Sequence, residues 1–258
     1  MIDTDEWFSL GALSTIQTLD RAIFVPRSLE EGRVMALVWT MAMVFNDLRG
    51  FYYWYTVLAA EERRYEGNDT AIKNIGFSKN QVAKYMIAHG QEAIQLLKRH
   101  KGDLLAHSSL QGVRGQLGEK ASEAWGALEK LFSGEETDDI HEIFPGVTCK
   151  SLREFIFAVR SKTAFHFDDM ATMSSGMAVL VGEGPMEMAY GLTMESTRFF
   201  FADEASSHFI YQKAKEHGIV DVGFVAVNLT KLIHRAFASF VARFIEQRQK
   251  ELGIEGDT

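Results

Sequence analysis

The stretch FIFAVRSKTAFHFDD, running from Phe155 to Asp169, decides how this chain is read. Its first five residues are apolar and suit a buried helix. The next turn presents Arg160, Ser161 and Lys162, and His166 then sits between Phe165 and Phe167, ahead of Asp168 and Asp169. Burial of an apolar face does not call for that order, so the stretch marks both the expected helix and the expected site.

Composition sets the frame around it. The chain has 258 residues, 47% of them hydrophobic and 24% charged, with Gly 21 and Pro 3. So few helix breakers among so many helix formers predict an all-α chain. The length suits a single helical domain over residues 1–258. A net charge of -8 excludes a protein that coats nucleic acid indiscriminately, since neutralising many phosphates needs an excess of Lys and Arg. It leaves room for a local anion site. Cys149 is the single cysteine, which excludes an internal disulfide framework and suits a reducing cytosol. The chain opens with Asp3, Asp5 and Glu6 rather than basic residues, so the expectation is a cytoplasmic protein without a secretory leader.

Outward from the central stretch, the elements follow from apolar spacing and cap residues. Phe8, Leu10, Leu13, Ile16 and Leu19 share a stripe that predicts a first helix over about 4–24, ended by Pro26. Ser28 before Leu29, Glu30 and Glu31 is the expected N-cap of the next helix. Val34 to Phe45 is almost wholly apolar, but twelve residues fall short of the roughly 20 that cross a bilayer. Asn46, Asp47 and Arg49 end that run, with Asp47 and Arg49 expected as a structural pair. Phe51 to Ala60 then reads as a core or interface helix rather than a membrane one. Gly67, Asn68 and Asp69 predict a loop, and Ser78 an N-cap for a helix reaching about Lys101. The cations Lys98, Arg99, His100 and Lys101 fit the negative end of that helix.

Gly112, Gly115 and Gly118 mark a turn-rich segment before a helix over about 119–132, and their spacing is not that of a phosphate-binding loop. Residues 133–139 read as an exposed acidic linker. Asp138, Asp139, His141 and Glu142 are too crowded for a metal site, so no metal or other cofactor is expected. Phe144, Pro145 and Gly146 form a turn, with Ser151 as the cap of the helix holding the central stretch. Met177 to Val181 and Thr197 to Phe201 predict a small β-hairpin near 177–201, inserted among the helices. Helices over about 202–216 and 222–251 close the chain, and Lys231, His234, Arg235, Arg243 and Arg248 on the last read as a solvated face.

The wording Val159-Arg160-Ser161-Lys162-Thr163-Ala164-Phe165-His166-Phe167-Asp168 resembles the signature of the HEPN family of small all-helical proteins. There an arginine followed by a polar residue precedes a histidine by four to six positions. Here five residues intervene, and Ser161 stands where asparagine or aspartate is common. The resemblance places a HEPN-like portion on residues centred on 78–250. It implies a homodimer in which two motifs meet, because residues six apart on one straight helix lie about 120 degrees apart around its axis. It further implies RNA as substrate, with Arg160 and His166 catalytic, Ser161 and Lys162 binding substrate, and no metal. Two functions stay open on that basis. One is a metal-independent endoribonuclease, of the kind found in toxin–antitoxin systems with an antitoxin or other protein partner. The other is a catalytically inactive helical dimer that binds a nucleotide or a protein partner.

Overall fold

Ser28 starts the first long helix, its Oγ accepting a hydrogen bond from the Glu31 amide at 3.1 Å. The computed structural model of the protein describes residues 19–102, 106–133, 140–161, 188 and 200–254. Before Ser28 the described chain makes only a short 3-10 turn, Arg21–Phe24, capped by Asp20. That turn replaces the last part of the expected first helix, whose residues up to 18 lie outside the described ones.

Helix α1 covers Leu29–Arg64, 36 residues without interruption. The expected end at Asn46, Asp47 and Arg49 is therefore corrected. Asn46 and Asp47 point outward while Leu48 is fully buried, so the polar residues sit on the solvent side of a continuing helix. A turn with Gly67 at φ +90° leads to α2, Asp69–His100, which Asn68 caps through Oδ1 and the Ala71 amide. A connection this short folds the two helices into a hairpin. Ser78 is not a cap: it lies inside α2, its hydroxyl donating to the Asn74 carbonyl at 3.0 Å, four residues back. A serine hydroxyl serves either purpose, and here Asn68 already occupies the start.

The remaining helices are α3, Ser108–Gly115, α4, Glu119–Ser133, α5, Cys149–Val159, α6, Phe200–Glu216, and α7, Val222–Leu252. α3 occupies much of the segment expected as turns around Gly112 and Gly115. The cap of α5 is Thr148 rather than Ser151: Thr148 Oγ1 accepts the Ser151 amide at 3.1 Å. Asp221 caps the start of α7, and Gly253 ends it in the left-handed conformation at φ +65°. Among the described residues there is no strand. The expected hairpin near 177–201 lies outside the described residues except at Met188 and at Phe200 and Phe201, which are helical rather than extended.

α7 is the axis of the bundle and packs against α1, α2, α3, α4, α6 and the turn Arg21–Phe24. Leu229, Ile233, Phe237 and Phe240 on it are fully buried. Burying such a side chain contributes about 1.5–3 kcal/mol. Phe240 also stacks on Trp125 of α4, ring centroids 4.7 Å apart. Gly90 lets α2 approach closely, since a Cβ there would overlap the buried Leu229 side chain.

A helix surrounded on so many sides has little room for a wet face. Lys231, His234 and Arg248, expected on a solvated face, are buried at 3%, 1% and 4% exposure. By length and composition, α1 and α7 each hold an 18-residue stretch apolar enough to cross a bilayer. That of α7 is 67% buried within the bundle and that of α1 33%, and the core helix of a bundle meets the same measure.

Candidate functional site

The sequence of α5 fixes where the Arg-x5-His motif begins. Leu152, Phe155, Ile156 and Val159 form its inner stripe and are fully buried against neighbours that include α2, α4 and α6. At the end of that stripe the turn widens, and the Arg160 amide donates to the carbonyls of Ile156 and Phe157. Arg160 and Ser161 thus leave the apolar core at a fixed angle.

The Arg160 side chain reaches α2, where its Nε donates to Glu92 Oε1 at 2.8 Å. Both side chains are about one-third exposed, at 32% and 39%. The Glu92 carboxylate orients the guanidinium and offsets its charge electrostatically. Ser161 turns its hydroxyl back onto its own helix, donating to the Phe157 carbonyl at 2.7 Å. That leaves the oxygen of Ser161 as an acceptor. Lys162 and His166 lie outside the described residues. Of the four expected site residues, Arg160 and Ser161 are therefore placed side by side at the end of α5, with Glu92 as a neighbour that motif reading did not supply.

The other sequence candidates find structural positions. Asp47 lies with Oδ2 3.9 Å from His89 Nε2 on α2. In the acidic group weighed for metal, Asp138 and Asp139 lie outside the described residues, and His141 Nδ1 accepts the Gly146 amide at 3.1 Å, closing the turn. Among the cations ending α2, Lys101 sits 5.7 Å from the ring centre of Phe132.

Sequence reasoning missed a set of buried polar groups between the long helices. His234 Nε2 lies 3.3 Å from the Phe45 carbonyl, and burial drives its pKa down to about 4 against the pull of that hydrogen bond, with Arg49 lowering it further. Tyr55 is pushed up to about 12, first by burial and then by Asp221 and Glu62. On the other side of α2, the Lys84 amine is buried and lies 3.3 Å from Ser206 Oγ on α6. Desolvation lowers its pKa, and the Asp203 carboxylate acts in the opposite direction. No spacing signal marks these groups, since α2 and α7 also carry exposed polar residues such as Lys98 and Arg243.

The fold and these positions define an all-α bundle with an arginine about one-third exposed at the end of its fifth helix. Comparison of the chain with protein-family models, with curated proteins and with solved structures finds no match.

Proposed function

We propose that this protein is a HEPN-like, metal-independent endoribonuclease whose site forms where two copies bring their Arg160 and His166 together. The observation that carries this reading is the position of Arg160: a permanent cation, held by Glu92 and reaching solvent, at the first residue of the motif. In this reading His166 exchanges a proton with the RNA 2′-hydroxyl or the leaving oxygen, as an imidazole does near neutral pH. Arg160 binds the nonbridging phosphate oxygens, whose negative charge grows toward the transition state. Lys162 adds a second cation, and Ser161 a hydrogen-bonding oxygen. DNA is refused because its sugar lacks the nucleophile.

The same ion pair favours a second reading. A guanidinium already matched to a carboxylate has less attraction for phosphate, which suits an inactive helical dimer that binds a nucleotide or a protein partner. Cytoplasmic location and an antitoxin partner belong to the first reading.

The test is purified protein with RNA and with DNA of the same sequence, in excess chelator, alongside Arg160→Ala and His166→Ala. RNA cleavage in chelator that disappears in both variants supports the nuclease. Cleavage that persists in both removes the roles assigned to them, and binding without cleavage selects the second reading.

A further inference from the structure

Away from the motif, α2 and α6 leave a shallow crevice between them, open to solvent, whose interior has room for about one water molecule. Its walls mix polar side chains with Phe77 and Ile210. Lys84 enters from α2, with Asn80 and Gln81 one turn earlier, and Asp203, Ser206 and Ser207 enter from α6. Lys84 is only 5% exposed, so its amine is separated from bulk water and faces the Ser206 hydroxyl at 3.3 Å. Ser206 is partly exposed and reaches the crevice from a helix 122 residues further along the chain.

We propose that Ser206 and Lys84 form a nucleophile and general-base pair that accepts small acyl groups from esters. A serine hydroxyl is a weak nucleophile until an adjacent base takes its proton, and the distance between these two groups is that of a long hydrogen bond. Burial disfavours the ammonium form of Lys84, and Asp203 is the carboxylate among the residues lining the crevice that counters this. As the neutral amine takes the Ser206 proton, Oγ bonds to the carbonyl carbon of the ester. The carbon–oxygen bond to the leaving alcohol then breaks, and the Lys84 ammonium returns the proton to that oxygen. Water repeats the sequence on the acyl-serine and releases the carboxylic acid, so no other reactant is needed. Asn80 lines the same crevice and would supply an amide donor to the tetrahedral oxyanion, whereas Gln81 Nε2 donates to the Tyr85 hydroxyl at 3.4 Å. The interior holds no more than about one water molecule, so the ester carbonyl is met at the mouth, where Ser206 is partly exposed, and only a small acyl group comes that close.

A lysine that merely satisfies its buried amine with a serine would share this geometry, and reactivity separates the two. The full chain is incubated with p-nitrophenyl acetate, and the adduct is mapped by peptide mass spectrometry. Acetyl on Ser206 is expected, absent in Ser206→Ala and formed roughly 100-fold or more slowly in Lys84→Met, the loss typical for removal of a general base. The acylation rate of the unaltered protein should rise with pH below the ordinary lysine range. Acetyl confined to Lys84 or other lysines, or Ser206 acylated at an unchanged rate in Lys84→Met, overturns the proposal. So does an unlabelled Ser206 in the unaltered protein, which needs no variant to fold. Because Arg160 and His166 take no part in this reaction, its outcome is independent of RNA cleavage.

Discussion

Arg160 and Glu92 join the end of α5 to the C-terminal half of α2 through a 2.8 Å hydrogen bond between Nε and Oε1. Ion pairs this open to water contribute little to folding, about 0–1 kcal/mol. Their influence falls on whatever anion competes for the guanidinium. Glu92→Gln should therefore leave the unfolding midpoint in urea almost unchanged while tightening binding of a labelled RNA oligonucleotide, followed by fluorescence anisotropy. Arg160→Ala should weaken that binding by roughly 10-fold or more, the loss expected for a charged hydrogen bond. Equal affinities in all three proteins would place RNA elsewhere.

His234 and the Phe45 carbonyl predict an acid sensitivity with a definite direction. The imidazole titrates near 4 when folded and near 6.5 when unfolded, so between those values the unfolded chain binds more protons. Its contribution is complete above about pH 6.5 and is lost as pH falls toward 4. The shift corresponds to roughly 3 kcal/mol. Urea unfolding at a series of pH values should show this fall, and His234→Gln, which keeps a donor for the Phe45 carbonyl, should flatten it between pH 6.5 and 4. An unaltered slope in that variant would assign the acid sensitivity to other groups.

Much of the bundle was legible from local chemistry. Ser28 caps α1 as expected, and Asn68 lies in the expected loop before α2. Ser78 and Ser151 misled because a serine in a helix and a serine at its start read alike. The choice is made by the residue already satisfying the first amides, here Asn68 and Thr148. Lys231, His234 and Arg248 misled for a different reason. Helical periodicity shows that residues share a face and says nothing of how many helices will surround it, and α7 is enclosed by neighbours that come from every part of the chain. At the candidate site the motif pointed to Arg160, but Glu92 lies 68 residues away on a helix that no spacing rule connects to it.

Gly90 and Leu229 set the approach of α2 to α7. Alanine ordinarily favours a helix interior over glycine by about 1 kcal/mol. Here the added methyl meets a fully buried leucine, and overpacking a closed core typically costs about 1–3 kcal/mol. Gly90→Ala should thus lower the thermal unfolding midpoint despite its better helix propensity. The double variant with Leu229→Val should recover part of that loss, since the smaller side chain withdraws from the added methyl. Stabilisation by the single change would mean that the two helices are further apart than described.

Arg248 ties the segment preceding α1 to the last helix. Its Nε donates to the Ile23 carbonyl at 3.3 Å and its Nη2 to the Val25 carbonyl at 3.1 Å, while Nη1 meets Glu31 and Glu251. The guanidinium is almost wholly buried, and removing it leaves two partly exposed carboxylates, Glu31 and Glu251, and two carbonyls without that donor. Loss of one partner from a fully buried charged pair costs about 3–5 kcal/mol, which is the upper end here because water reaches both carboxylates. Arg248→Met should therefore unfold at much lower urea concentration, and Arg248→Lys should recover only part of the difference, because an ammonium cannot span both carbonyls and Glu31 with a rigid fork. Replacing Glu31 by Gln in the Arg248→Met background should restore part of the stability, since the less exposed of the two stranded charges is then gone. If the double variant is no more stable than Arg248→Met alone, the cost lies in the two carbonyls, and hydrogen exchange at the amides of residues 21–25 should then accelerate in both variants alike.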